Sequence, residues 1–127
     1  MDQMGWTMTS AEFELDHRLA KDTVLISEWG LSRLLLMNDR RFPWLILMPR
    51  RAGAVEVFDL SESDRAALWR EVNAAAIALQ RETGCRKINI GALGNIVSQL
   101  HVHVIARFEN DAAWPGPAWG KGVAEPY

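Results

Sequence analysis

Two histidines, His101 and His103, lie two residues apart in Q-L-H-V-H-V-I-A-R, residues 99–107. Side chains alternate between the faces of a strand, so an extended run here puts Gln99, His101, His103 and Arg107 on one side. Leu100, Val102, Val104 and Ala106 then share the other. Imidazoles at i and i+2 have Cα atoms about 6.5 to 7 Å apart, near enough to reach one phosphate-sized anion from two positions. Neutral imidazole is also nucleophilic near neutral pH, which suits attack on phosphorus. Two other chemistries fit the same spacing. The pair is either solvated on an exposed strand, or supplies two ligands of a zinc or iron ion. A metal needs a third and fourth ligand, and His17 and Cys85 are isolated in the sequence, so no metal is expected.

The elements that must position these residues are mostly strands around one helix. Residues 11–21 carry Phe13, Leu15 and Leu19 among charges and predict a short helical or irregular lead-in, followed by a brief strand at 24–26. Runs 31–37 and 44–48 are β-rich and separated by N-D-R-R-F-P, which predicts a hairpin with Pro43 opening its second strand. From Ser61 the pattern turns helical: Ser61 and Asp64 form a capping signal. Leu68, Val72, Ala75, Ala76 and Leu79 recur at helical spacing, and Gly84 is placed to end the helix. Strands are predicted at 87–91 and 97–107, joined by A-L-G-N as a turn. The last stretch holds too much Pro and Gly for a regular element, but Trp114 and Trp119 point to a tail laid against a surface. Trp29, Trp44 and Trp69 are expected in the core.

The chain has 127 residues, 49% of them hydrophobic and 24% charged, enough for one ordinary globular core. Fourteen Lys and Arg against sixteen Asp and Glu give a formal charge of −2, with no cationic excess of the kind that wraps DNA or RNA. The longest apolar run, near 44–48, is far too short to span a bilayer. The single Cys85 cannot form an intrachain disulfide, and M-D-Q-M-G-W-T-M does not look like an export leader. These features predict a cytoplasmic protein without a membrane or nucleic-acid partner.

The segment G-N-I-V-S-Q-L-H-V-H-V-I-A-R, residues 94–107, resembles the signature of the histidine triad (HIT) family of nucleotide hydrolases and transferases, and of its proteobacterial HIT-like branch. That family's motif is H-x-H-x-H followed by two apolar residues; here it reads Q-x-H-x-H-V-I, with Gln99 in the first histidine's place. The likeness extends to D-R-R-F-P-W-L-I-L-M-P-R-R, to the helix after D-L-S and to K-I-N-I-G. It covers roughly 20–108 of a single domain spanning 1–127, leaving 109–127 as a tail. The fold it implies is α+β: an antiparallel sheet of about five strands, one long helix and a short N-terminal helix.

By this resemblance His101 is the nucleophile that attacks an α-phosphorus, forming a nucleotidyl-histidine that water then hydrolyses. His103 would hydrogen-bond phosphate oxygens, and a backbone carbonyl near position 99 would orient the nucleophile's other ring nitrogen. Gln99 can donate from its amide but cannot relay a proton. Asn95 stands where relatives place a phosphate-contacting Gln, and Ile96 where some carry a hydroxyl. Asn89 falls in the active-site cleft beside the motif. Asn38 and Asp39 sit where the family grips the ribose hydroxyls, although N-D is also ordinary turn chemistry. Arg50 and Arg51 follow the hairpin's last Pro, with Ala52 in place of a further histidine that some relatives have. Trp114-Pro115 matches a Trp-Pro that reaches a neighbouring subunit's site. The family commonly dimerises through the helix and a sheet edge, so a homodimer is expected.

The implied substrate is a purine nucleotide derivative: a dinucleoside polyphosphate such as diadenosine tetraphosphate, or an AMP phosphoramidate or ester. No cofactor is required, Mg2+ entering only as counter-ion to a polyphosphate substrate. A nucleotide-binding module with little turnover, and a nucleotidyl transferase using the same intermediate, are the alternatives.

Overall fold

A computed structural model describes residues 13–127, so the leader reading and the first residues of the lead-in lie outside the described part. Asp16 caps the short helix α1, His17–Asp22, its side chain accepting from the Arg18 N–H, and Leu19 is the residue α1 buries. The chain passes directly into β1, Thr23–Glu28, then β2, Ser32–Met37, and β3, Trp44–Pro49. The last two form the expected antiparallel hairpin, with Leu35 opposite Ile46. A 3-10 turn, Val57–Asp59, leads to α2, Glu62–Thr83, and the chain ends its regular structure in β4, Lys87–Gly91, and β5, Val102–Arg107.

The local signals for α2 are realised as hydrogen bonds. The Asp64 N–H donates to Ser61 Oγ at 3.1 Å. At the other end Gly84 takes φ 66°, a left-handed conformation that glycine adopts without a Cβ penalty. Leu68, Val72, Ala75 and Leu79 form the buried stripe. Trp69, one step around the helix from Leu68, stands 45% exposed, which corrects its expected place in the core. Trp44 is buried as expected, and Trp29 packs partly buried at the core's edge.

All five strands form one antiparallel sheet in the order β1-β2-β3-β5-β4. Period-two alternation divides β5 between two cores. Val102, Val104 and Ala106 pack with Leu47 and the buried stripe of α2. On the opposite face Ile105 packs with Leu35, Trp44, Ile46 and Met48, and this layer is roofed by Phe13 and Leu19 from the N-terminal side and by Ala118 from the tail. His103 belongs to this second face, because it lies opposite Ile46 on β3 and Gly91 on β4.

The strand expected over 97–107 is shorter than predicted. Only 102–107 joins the ladder, and 92–101 is an irregular connection. Its polar groups find partners elsewhere: the Leu100 N–H donates to the Ala54 carbonyl at 3.0 Å, and Gln99 bonds the N-terminal segment. Backbone groups satisfied off the sheet need no ladder. The tail has no helix or strand, as its composition predicts, and is held by a buried ion pair. Arg107 Nε and Nη2 meet both Asp111 carboxylate oxygens at 2.8 and 3.0 Å, and Nη2 also donates to the Gly116 carbonyl at 2.7 Å. Among the described residues no helix is long and apolar enough to cross a membrane.

Candidate active site

His101 is the last residue of the irregular connection and His103 lies inside β5, yet their rings come together, with centroids 4.8 Å apart in an edge-to-face arrangement. Both are nearly buried, at 6% and 5% exposure. Each ring's tautomer follows from its partner. His101 Nδ1 lies 2.6 Å from the Gln99 backbone oxygen, and since a carbonyl only accepts, Nδ1 carries the hydrogen and Nε2 keeps its lone pair. His103 has the opposite arrangement. Trp44 Nε1 donates to His103 Nδ1 at 3.0 Å, so Nδ1 is bare and the hydrogen sits on Nε2. Burial, reinforced by the neighbouring His101, pushes the His103 imidazole down to about 3, so it is neutral at physiological pH. One ring thus offers a nucleophilic nitrogen and the other an N–H donor.

Aromatic side chains wall this pair on the sheet face. Trp119 meets His103 edge-on with centroids 5.6 Å apart and Trp44 at 6.5 Å. It lies so close over β4 that a Cβ at Gly91 would stand 3.0 Å from its Cη2, so glycine is what admits the indole. Around His101 a small cleft opens between the connection and the 3-10 turn, lined by Val55, Glu56, Val57, Leu93, Gly94 and Gln99.

The other expected site residues are distributed differently. The Gln99 side-chain amide faces the N-terminal segment, and only its backbone oxygen meets the His101 ring. Asn89 shares the face of Ile105, as its alternation predicts, and Asn89 Oδ1 accepts from Arg107 Nη1 at 2.9 Å. Asn95 and Ile96 are exposed on the connection. Asp39 is buried and bidentate with Arg41, at 3.0 and 2.8 Å, and also accepts the Glu125 N–H at 3.3 Å. Burial alone would raise its carboxyl, but the Arg41 side chain and N–H and the Glu125 N–H outweigh this and lower it. Asn38 Oδ1 accepts the Tyr127 N–H at 3.0 Å, so the tail's end is strapped over both residues. Trp114 stacks near the Arg107 guanidinium, 5.9 Å from it. The arginine pairs are engaged too: Arg50 with Glu28, Arg51 with Asp64, and Arg40 with Glu125. Among the described contacts none joins Asn38, Asp39 or Asn95 to the histidines. No three His, Cys, Asp or Glu side chains among the described residues gather as a metal ligand set.

Trp44 and Trp119 are the site residues that sequence reasoning missed. Trp44 had a usable signal, since alternate residues of β3 share the face of His103 once β3 and β5 are paired. Trp119 carried only the hint that the tail lies on a surface.

The sequence pattern of the HIT domain matches residues 18–110. The chain belongs to the HIT family. Its fold is similar to that of a histidine triad protein from Sinorhizobium meliloti, with 58% identity and a TM-score of 0.91 over 93% of this chain and 87% of that one. A histidine triad protein from Bradyrhizobium japonicum is similar at 46% identity and a TM-score of 0.90, covering 91% of this chain and 87% of that chain. One from Marinobacter aquaeolei matches at 44% identity and 0.90, covering 91% and 85%. No curated protein matches. As a HIT protein the chain is of the nucleotide-binding kind, and members of the family are generally nucleotide hydrolases or transferases.

Proposed function

We propose that this HIT protein is a hydrolase of purine nucleotide derivatives, cleaving a bond to the α-phosphate of a dinucleoside polyphosphate or an AMP phosphoramidate or ester through a nucleotidyl-histidine. The observation that carries the reading is the pair of complementary tautomers. His101 Nε2 has a lone pair for phosphorus, while His103 Nε2–H, a few ångströms away, donates to a nonbridging oxygen as charge builds there. As the N–P bond forms and the bond to the leaving group breaks, positive charge grows on the His101 ring. The Gln99 carbonyl, already bonded to Nδ1–H, stabilises it. Water then attacks the same phosphorus, the P–N bond breaks, and AMP departs with the imidazole restored.

The second reading is a binding module with little turnover. Two observations favour it: the Gln99 amide supplies no proton to a leaving group, and the Asp39 carboxylate is already occupied by Arg41 and Glu125. Intact-mass analysis after incubation with an AMP phosphoramidate or diadenosine tetraphosphate separates the two. The hydrolase reading expects released AMP and an adenylyl adduct that is absent from His101→Ala. Tight AMP binding with neither turnover nor adduct would replace it with the binder, and an added acceptor that outcompetes water would make the protein a transferase.

A homodimer is part of the same proposal. Trp69 and Ile77 on the outer side of α2, and Ile90 on edge strand β4, are each close to half exposed, an apolar surface suited to a second copy.

A further inference from the structure

The side chain of Gln99 makes a two-armed clamp. Gln99 Oε1 accepts the Asp16 N–H at 2.8 Å, and Gln99 Nε2 donates to the Glu14 carbonyl at 2.7 Å. An amide fits this task because it carries an acceptor and a donor side by side, matching a backbone carbonyl and an N–H two residues apart. A third contact ties the same segments, Arg18 Nη1 donating to the Ile96 carbonyl at 3.3 Å.

The clamp bears on the nucleophile through the peptide unit between Gln99 and Leu100. That unit is planar, so its N–H and C=O point in opposite directions. The Leu100 N–H is fixed on the Ala54 carbonyl at 3.0 Å, and Leu100 itself is buried. The Gln99 carbonyl therefore points away from Ala54, and it meets His101 Nδ1 at 2.6 Å. Ala54 sets one side of the plane, and the Gln99 side chain holds the Cα on the other.

We propose that Gln99 is a positioning residue: by clamping residues 14–16 it fixes the carbonyl that keeps the His101 hydrogen on Nδ1 and the lone pair on Nε2. The glutamine in the first triad position is, on this account, no depleted proton donor. A histidine there presents its donor and acceptor on opposite edges of a rigid ring, and cannot hold both Glu14 and Asp16. A glutamate has no donor for the Glu14 carbonyl. The inference rests on the hydrolase reading only where turnover is measured.

The test uses the whole chain and two routes to the same loss. Gln99→Met removes both arms while keeping an unbranched side chain. Asp16→Pro removes the N–H that Gln99 Oε1 accepts together with the carboxylate that caps α1, at a backbone φ of −53° that proline tolerates, and Asp16→Ala removes the carboxylate alone. Long-range 1H–15N spectra read the His101 tautomer without substrate, and AMP phosphoramidate turnover separates kcat from KM. Gln99→Met and Asp16→Pro should each show a mixed His101 tautomer and kcat down about tenfold, the scale of one lost hydrogen bond, with KM within about twofold. Asp16→Ala should keep the wild-type tautomer, and Gln99→His should fail to restore kcat. A wild-type tautomer in both clamp variants, or Gln99→His exceeding wild type in kcat, overturns the proposal. If Gln99→Met does not fold, Asp16→Pro against Asp16→Ala decides it. Absence of turnover with any AMP conjugate would refute the hydrolase and leave the tautomer comparison to judge the clamp.

Discussion

Replacing Trp44 by Phe removes the donor that keeps His103 Nδ1 bare, and the cost follows from the contact's surroundings. The bond is 3.0 Å long and joins side chains that are 6% and 5% exposed, so water cannot take the donor's place. A buried acceptor left unpaired costs about 1–3 kcal/mol. The smaller ring adds roughly 1 kcal/mol through lost packing against Phe42 and Trp119. Trp44→Phe should therefore lower unfolding free energy by about 2–4 kcal/mol. At about 4 °C per kcal/mol for a chain of this size, the midpoint should drop ~8–16 °C. Urea unfolding gives the first number, and long-range 1H–15N spectra give the companion result: with the indole gone, His103 should populate both neutral tautomers. If the loss is under about 0.5 kcal/mol, the range of an ordinary surface change, or if His103 still carries its hydrogen on Nε2 alone, then the indole does not set the tautomer. The phosphate-donor role assigned to His103 would lose its structural basis.

His103 also predicts an acid-side loss of stability. Folded, it resists protonation until about pH 3, whereas an ordinary histidine takes its proton near 6.5, so the unfolded chain binds more protons between those values. Its contribution is complete above pH 6.5 and fades as pH falls to about 3, by at most about 1.4 kcal/mol per pH unit. Urea midpoints across that window should fall less steeply in His103→Phe, and an unchanged slope would contradict the assignment. For the assembly, sedimentation at micromolar concentration should give twice the mass of one chain for wild type and a single chain for Trp69→Glu. A monomeric wild type would remove the dimer.

Sheet and helix were legible in the sequence where local physics decides. The stripe of Leu68, Val72, Ala75 and Leu79, with Ser61 before it and Gly84 after it, reads as a helix from its local pattern and is a helix in the protein. The alternation of Val102, Val104 and Ala106 against His103 and Ile105 set the two faces of β5 before any partner strand was known. The motif around His101 and His103 likewise named the two rings that the fold brings together. What could not be read locally was where hydrogen bonds go across long separations. Residues 97–101 alternate well enough for a strand, but Leu100 and Gln99 bond to Ala54 and to residues 14 and 16, so the ladder stops at Val102. Trp69 is an apolar residue expected in the core, and its place one step around α2 from Leu68 turns it outward.

Residue types along the chain thus determined which side chains of β5 share a face and which are chemically able to attack phosphorus, because strand alternation and imidazole chemistry need no neighbours. Only the fold decided which nitrogen of the His103 ring is bare. That choice depends on one indole at position 44, 59 residues away in the chain. Contacts at such separation are fixed by how strands pair and how the tail closes, and no local pattern in the chain encodes them.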